Sequence, residues 1–62
     1  MLILKHTEVN GYESIAECRS TWIDSNGHVC AHDPESGALQ EFASGVVEVL
    51  TQEGKQIARY VL

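Results

Sequence analysis

Apolar and polar residues alternate along much of this chain, most clearly between residues 12 and 23. In that segment the even positions include Tyr12, Ala16, Cys18 and Trp22, and most odd positions are polar. Alternation with a period of two is typical of a β-strand that buries one face and exposes the other. We therefore predict a strand over residues 12–23 whose even face lies in the core.

Three short polar segments containing glycine separate the apolar stretches. They are Asn-Gly at residues 10–11, Asp-Ser-Asn-Gly at 24–27 and Gln-Glu-Gly at 52–54. Asn-Gly favours a type I′ turn, whereas Asp-Ser-Asn-Gly equally suits a type I turn closed by a left-handed glycine. The pattern predicts three hairpins, the first of which begins with a strand over residues 2–9.

The second hairpin can be drawn with two loop lengths. A two-residue loop at Asn26-Gly27 sets Ala31 opposite Trp22, and this apolar pairing favours it slightly over a three-residue loop. Both registers leave Cys18 and Cys30 staggered by about four or five residues along the strands, too far apart for a disulfide. We expect two free, partly buried thiols and a reducing compartment.

Residues 33–51 are compatible with two structures. Asp33 and Pro34, followed by Gly37, form a strong turn signal, which predicts a strand over residues 38–43. The alternative is an amphipathic helix over about residues 34–51, capped by Asp33. Gly37, Gly45 and a cluster of valines disfavour this helix, so strands are the preferred interpretation.

The last hairpin is better determined. A two-residue loop at Glu53-Gly54 sets Glu48 opposite Arg59, and Val47 and Val49 then share one face with Ala58 and Tyr60. The predicted fold is all-β: a single domain over residues 1–62, built as an antiparallel meander or small barrel of five to six strands. The alternative is an α+β fold with the helix at about 34–51.

Length and composition limit the possible functions. A chain of 62 residues lies near the lower limit for an independently folding domain and leaves little room for a deep cleft. No apolar run approaches the roughly 20 residues that span a bilayer, and the apolar segment at residues 1–4 is too short for a signal peptide. With no catalytic or cofactor motif in the sequence, we predict a cytoplasmic protein that is neither an enzyme nor cofactor-dependent.

One local arrangement nevertheless has a chemical interpretation. His28, Cys30 and His32 occupy alternate positions, so on a strand they project from the same face, and zinc accepts both thiolate and imidazole ligands. The two histidines would lie about 13 Å apart, so only neighbouring members of the set could share a metal. We predict no metal site and keep a small metal-binding or redox-sensing domain as an alternative function.

The charge is the more informative surface property. A net charge of −5 argues against direct binding to nucleic acid, whose recognition requires a basic surface. It favours a basic protein surface as partner, although charge of this size also serves solubility alone. The candidate partner-binding residues are Glu13, Glu17, Asp24, Asp33, Glu35 and Glu41.

These observations together predict a non-catalytic protein-binding module, either monomeric or homodimeric, that contacts no membrane. In size and charge the chain resembles small phage-encoded inhibitors, including anti-CRISPR proteins, and this resemblance implies that it occludes a nucleic-acid-binding host protein. A structural or oligomerising subunit is a further alternative, because some apolar residues fall on the polar face of the predicted strands. These are Ile15, Ile23, Leu50, Ile57 and Val61.

Overall fold

The computed structural model describes residues 1–62 and contains only β-strands and their connections. The seven strands are β1 (Leu2–Thr7), β2 (Glu13–Cys18), β3 (Thr21–Ile23), β4 (Val29–His32), β5 (Leu39–Phe42), β6 (Val46–Leu50) and β7 (Gln56–Val61). They form two antiparallel sheets, one of four strands in the order β2-β1-β6-β7 and one of three in the order β3-β4-β5. The all-β prediction is confirmed, but the chain has seven strands instead of the predicted five to six, and they form two sheets instead of one meander. The helix at about 34–51 is absent, and the sheets do not close into a barrel.

Three of the four hairpins between neighbouring strands use the same type of loop. The loops begin at Glu8, Asp24 and Thr51, and in each the glycine three residues later donates its amide to the carbonyl of the first residue, at 2.8–3.0 Å. The glycines have φ angles of +92°, +78° and +91°, and no other residue type has a positive φ. A type I′ turn needs two positive φ angles, so the type I′ turn predicted at Asn10-Gly11 is wrong.

The favoured register of the second hairpin is also wrong. Trp22 pairs with Cys30, not with Ala31, and the loop contains three residues. The cause is Asp24, whose Oδ1 atom accepts hydrogen bonds at 2.9 Å from the amides of both Asn26 and His28. Two amide contacts to one carboxylate stabilise the longer loop more than the predicted apolar pairing stabilises the shorter one.

In the last hairpin the predicted pairing of Glu48 with Arg59 is confirmed. The loop is longer than predicted, because the amide of Thr51 donates to the carbonyl of Lys55 at 2.8 Å. The register shifts by one residue next to Leu50, which pairs with Gln56, and this β-bulge absorbs the extra residue.

The strand predicted over residues 12–23 is divided between the two sheets. β2 lies in the four-stranded sheet and β3 in the three-stranded sheet. Ala16 and Cys18 face the core as predicted, but Trp22 lies on the outer face and is 38% exposed, and Tyr12 precedes β2 and is 65% exposed. Even positions face the core in β2, whereas the odd position Thr21 faces it in β3, where it pairs with the buried Ala31. A single uninterrupted strand would have kept the even positions inward.

The predicted turn after β4 is confirmed. Asp33 accepts hydrogen bonds through Oδ1 from the amides of Glu35 and Ser36, both at 2.9 Å. The amide of Gly37, at a φ angle of +73°, donates to the carbonyl of Asp33 at 2.9 Å. β5 then returns within the predicted range of 38–43.

The core lies between the two sheets. Its buried members are Leu4, Cys18, Val29, Ala31 and Val47, each at most 1% exposed. Two of them come from β4, so the three-stranded sheet packs one face against the four-stranded sheet and leaves its other face outside. A core this small gains about 1.5–3 kcal/mol from each fully buried leucine or valine, so few of these residues can be lost.

Candidate functional site

Four side chains that can bind metals or protons meet on the outer face of the three-stranded sheet. This β4 cluster consists of Asp24, His28, Cys30 and Glu41. Cys30 lies at its centre, since the neighbouring Val29 and Ala31 point into the core and Cys30 therefore points outward. Strand pairing places Glu41 beside it on β5. Cys30 is nonetheless only 2% exposed, because the surrounding side chains cover it.

Asp24 is held rigidly by the loop that it begins. Its Oδ1 atom is occupied by the amides of Asn26 and His28. Its Oδ2 atom faces the cluster, 3.7 Å from Cys30 Sγ and 4.0 Å from His28 Nδ1. Hydrogen bonds to the carboxylate, led by that from the His28 amide, lower the pKa of Asp24 below its ordinary value. The carboxylate is therefore ionised at neutral pH.

His28 and Glu41 form an ion pair across β4 and β5. The Nδ1 atom of His28 donates to Oε1 of Glu41. This hydrogen bond is the main cause of a raised pKa for His28, and the charges of Asp24 and Glu41 act in the same direction. The cluster thus holds two carboxylates against one imidazole.

The thiol of Cys30 is not activated as a nucleophile in this environment. Desolvation is the main cause of its raised pKa, and the charges of Asp24 and Glu41 raise that pKa further. Reactive cysteines require the opposite conditions, in which a cation or a helix N-terminus stabilises the thiolate. Without a bound cation, Cys30 remains a protonated and covered thiol.

The cluster overlaps only partly with the three residues that the sequence singled out. The structure brings His28 and Cys30 to the cluster, but His32 lies at the far end of β4, where it pairs with Leu39. The ring of His32 packs instead on Trp22, with the ring centroids 4.9 Å apart. Sequence reasoning did not connect Asp24 and Glu41 with the thiol. Predicting these two neighbours of Cys30 would have required the three-residue loop after β3 and the pairing of Glu41 with Cys30.

The six acidic residues predicted to bind a partner occupy three places. Asp24 and Glu41 belong to the β4 cluster, whereas Asp33 and Glu35 lie in the loop between β4 and β5. The remaining two, Glu13 and Glu17, lie on the outer face of the four-stranded sheet, as predicted. The acidic residues therefore do not form one continuous patch.

Glu13 and Glu17 flank an exposed apolar side chain. Ile15 lies between them on β2, an edge strand, and is 69% exposed. Lys5 Nζ lies 3.0 Å from Glu13 Oε2, and Gln52 Nε2 donates to Glu17 Oε2 at 3.3 Å. The carboxylate of Glu13 raises the pKa of Lys5, mainly through the hydrogen bond between them. We call Glu13, Ile15 and Glu17 the β2 face.

A surface depression of about 410 Å³ is lined by Arg19, His32 and the loop at residues 33–37. The chain contains no helix of the length and apolarity needed to cross a membrane. No family model, curated protein or solved structure matches this chain.

Proposed function

We propose that this chain is a non-catalytic, cytoplasmic protein-binding module that covers a basic, nucleic-acid-binding surface of another protein. In this respect it acts like the small phage-type inhibitors, anti-CRISPR proteins among them, that it resembles in size and charge. The observation that carries the proposal is the β2 face, where two carboxylates flank an exposed isoleucine on an edge strand.

This arrangement has the two components of a protein interface. The apolar side chain gains free energy when a partner removes it from water, at about 25 cal/mol per Å² of apolar area. The carboxylates on either side attract a basic surface over a distance of about 10 Å at moderate salt, and they repel acidic competitors such as nucleic acid. Ile15 therefore contributes affinity, and Glu13 and Glu17 contribute rate and selectivity.

The net charge supports the same class of partner. At −5 the whole chain is attracted to a surface that normally binds phosphate groups. A partner of that kind has its own ligand at the same surface, so binding of this chain and binding of nucleic acid should exclude each other.

The test is affinity capture from bacterial lysate at low and high salt, followed by mass spectrometry. The parent chain is compared with Glu13→Lys/Glu17→Lys, which reverses both charges of the β2 face. Glu8→Lys/Glu53→Lys is the matched control, because both residues are exposed in loops and the net charge changes equally.

The proposal expects the parent and the control to capture a basic, nucleic-acid-binding protein that the β2-face variant loses. Added nucleic acid should release that protein. An equal loss of capture in the two double variants, relative to the parent, would assign the interaction to net charge alone. A partner that resists both salt and nucleic acid would contradict the proposed mode of binding.

A further inference from the structure

We propose that the β4 cluster is a zinc site in which Cys30, His28, Asp24 and Glu41 supply one ligand each. The proposal goes beyond the protein-binding function and departs from the sequence-based expectation that the chain binds no metal. It also replaces His32, which the sequence offered as a ligand, with two carboxylates from the β3–β4 loop and β5.

The geometry of three of the four donors carries this inference. One ligand atom from each of Asp24, Cys30 and Glu41 lies within 4.8 Å of the other two. In a tetrahedral zinc site with bonds of about 2.0–2.3 Å, neighbouring ligand atoms lie about 3.3–3.7 Å apart. Cys30 Sγ is already 3.7 Å from Asp24 Oδ2, and His28 Nδ1 is 4.0 Å from the same oxygen.

The burial of Cys30 is an independent indication. Its side chain is 2% exposed, yet its sulfur has only two weak contacts, at 3.7 Å to Asp24 and 3.9 Å to the carbonyl of His28. The buried thiol thus donates only long hydrogen bonds, and it faces the carboxylates of Asp24 and Glu41. A divalent cation would bind the sulfur and balance the carboxylates at once.

The donor types select the metal. One thiolate, one imidazole and two carboxylates match the ligands that zinc accepts, whereas calcium and magnesium require six or more oxygens. Asp24 is oriented in advance, because the loop amides hold Oδ1 and leave Oδ2 free. Oε1 of Glu41 and Nδ1 of His28 are hydrogen-bonded to each other in the metal-free chain, so this bond breaks when both side chains bind zinc.

Binding changes the protonation of the site in a defined way. Cys30 binds as the thiolate, so its S–H bond breaks, a Zn–S bond forms and the proton passes to solvent. His28 binds through Nδ1 in its neutral form. Zinc affinity therefore rises with pH, and calorimetry in buffers of different ionisation enthalpy should detect the released proton.

The experiment titrates zinc chloride into the reduced, metal-free full chain and measures heat and melting temperature. We expect one zinc per chain and a rise in melting temperature of about 10 °C or more at zinc concentrations roughly 100-fold above the dissociation constant. Magnesium at the same concentration should change nothing. Cobalt(II) should give the charge-transfer absorption of a cobalt–thiolate bond.

Variants identify the ligands. Cys30→Ser should abolish the cobalt–thiolate band, and His28→Gln should weaken zinc binding by about tenfold or more. Cys18→Ser and His32→Gln are the matched controls and should retain both properties, since neither residue belongs to the β4 cluster. His28 is only partly buried, so His28→Gln tests the site even if Cys30→Ser folds poorly.

Three results would overturn the proposal. The first is the absence of zinc binding by the reduced parent chain. The second is zinc binding that persists unchanged in both Cys30→Ser and His28→Gln. The third is loss of the cobalt band in Cys18→Ser but not in Cys30→Ser.

Discussion

Gly45 passes so close to Thr7 that a Cβ atom at residue 45 would lie 2.3 Å from the Thr7 carbonyl oxygen. The contact occurs where the chain leaves the three-stranded sheet and begins β6. The carbonyl of Gly45 also accepts a hydrogen bond at 2.8 Å from the amide of Leu62. At the point where the chain crosses between the sheets, Gly45 thus contacts both β1 and the last residue of the chain.

Gly45→Ala should therefore destabilise the fold strongly. The methyl group can be placed only by moving the backbone of β1, and the φ angle of +87° adds strain of about 1–2 kcal/mol. We expect an alanine at residue 45 to lower the free energy of unfolding by at least about 2 kcal/mol more than an alanine at residue 54. Urea unfolding followed by circular dichroism measures both.

Gly54→Ala is the matched control, because Gly54 has a φ angle of +91° but nothing within 4 Å of the added Cβ. It carries the backbone strain without the steric contact. Equal losses of stability in the two variants would mean that β1 moves aside without cost.

A second prediction concerns acid stability and Asp33. The amides of Ser36 and Glu35 bind the carboxylate and lower the pKa of Asp33 below its ordinary value. A lowered pKa in the folded state means that this contribution is complete above the unfolded pKa of about 3.9 and is lost as pH falls through the folded pKa. The free energy of unfolding of the chain should therefore decrease as the pH falls from the unfolded pKa through the folded pKa of Asp33.

Asp33→Asn isolates that contribution, because the asparagine oxygen still accepts the two amide hydrogen bonds but does not titrate. The urea midpoint of the variant should depend less on pH than that of the parent between about pH 2 and 5. Asp24 has a lowered pKa as well, so part of the acid dependence remains in the variant. Identical pH profiles for parent and variant would contradict the role assigned to Asp33.

The sequence predicted the strands better than it predicted how they pair. Alternation identified Ala16 and Cys18 as inward residues, and glycine-containing loops marked every hairpin. The pairing of β1 with β6 escaped prediction because it joins residues far apart in the chain, such as Leu4 and Val49, and neither local propensity nor turn chemistry reports such contacts. A meander pairs only strands that are consecutive in the chain, so it does not include the pairing of β1 with β6.

The β4 cluster illustrates the same limit at the level of single residues. The sequence singled out His28 and Cys30 by their spacing on one strand. It did not place Asp24 and Glu41 beside them, because that requires the register of β3 and β5 against β4. A shift of one residue moves every side chain to the opposite face. In this case the shift came from two hydrogen bonds to Asp24.

A third prediction distinguishes the two thiols. Cys18 is 1% exposed and Cys30 is 2% exposed, so both should react slowly with a thiol reagent in the native, metal-free chain. Cys18 lies between the sheets and requires global unfolding, whereas Cys30 is covered only by side chains on an outer face. We expect Cys30 to react faster, and both to react in denaturant without prior reduction.

Mass spectrometry of partly labelled protein measures the two rates, and Cys18→Ala confirms the assignment by leaving only Cys30. Equal native rates for the two cysteines would show that Cys30 is exposed only by global unfolding. Zinc should slow the labelling of Cys30 selectively, which links this measurement to the proposed metal site.

The last prediction concerns the β2 face and the rate of binding. Reversing Glu13 and Glu17 to lysine removes the attraction that steers a basic partner, so association should slow by about tenfold or more at low salt. The difference from the parent should shrink as salt rises, because the Debye length falls to about 3 Å at 1 M. Stopped-flow or surface-based kinetics with the captured partner would measure both effects.

The fold should tolerate these changes, since both side chains are exposed on an outer face. Losing the Glu13 contact with Lys5 weakens only a solvated ion pair, and far-ultraviolet circular dichroism should remain dominated by strand signal. The Glu8→Lys/Glu53→Lys control should keep most of the parent's association rate. If the β2-face variant also binds as fast as the parent, the carboxylates serve solubility, and the interface must lie in the exposed apolar residues Ile15, Ile23 and Ile57.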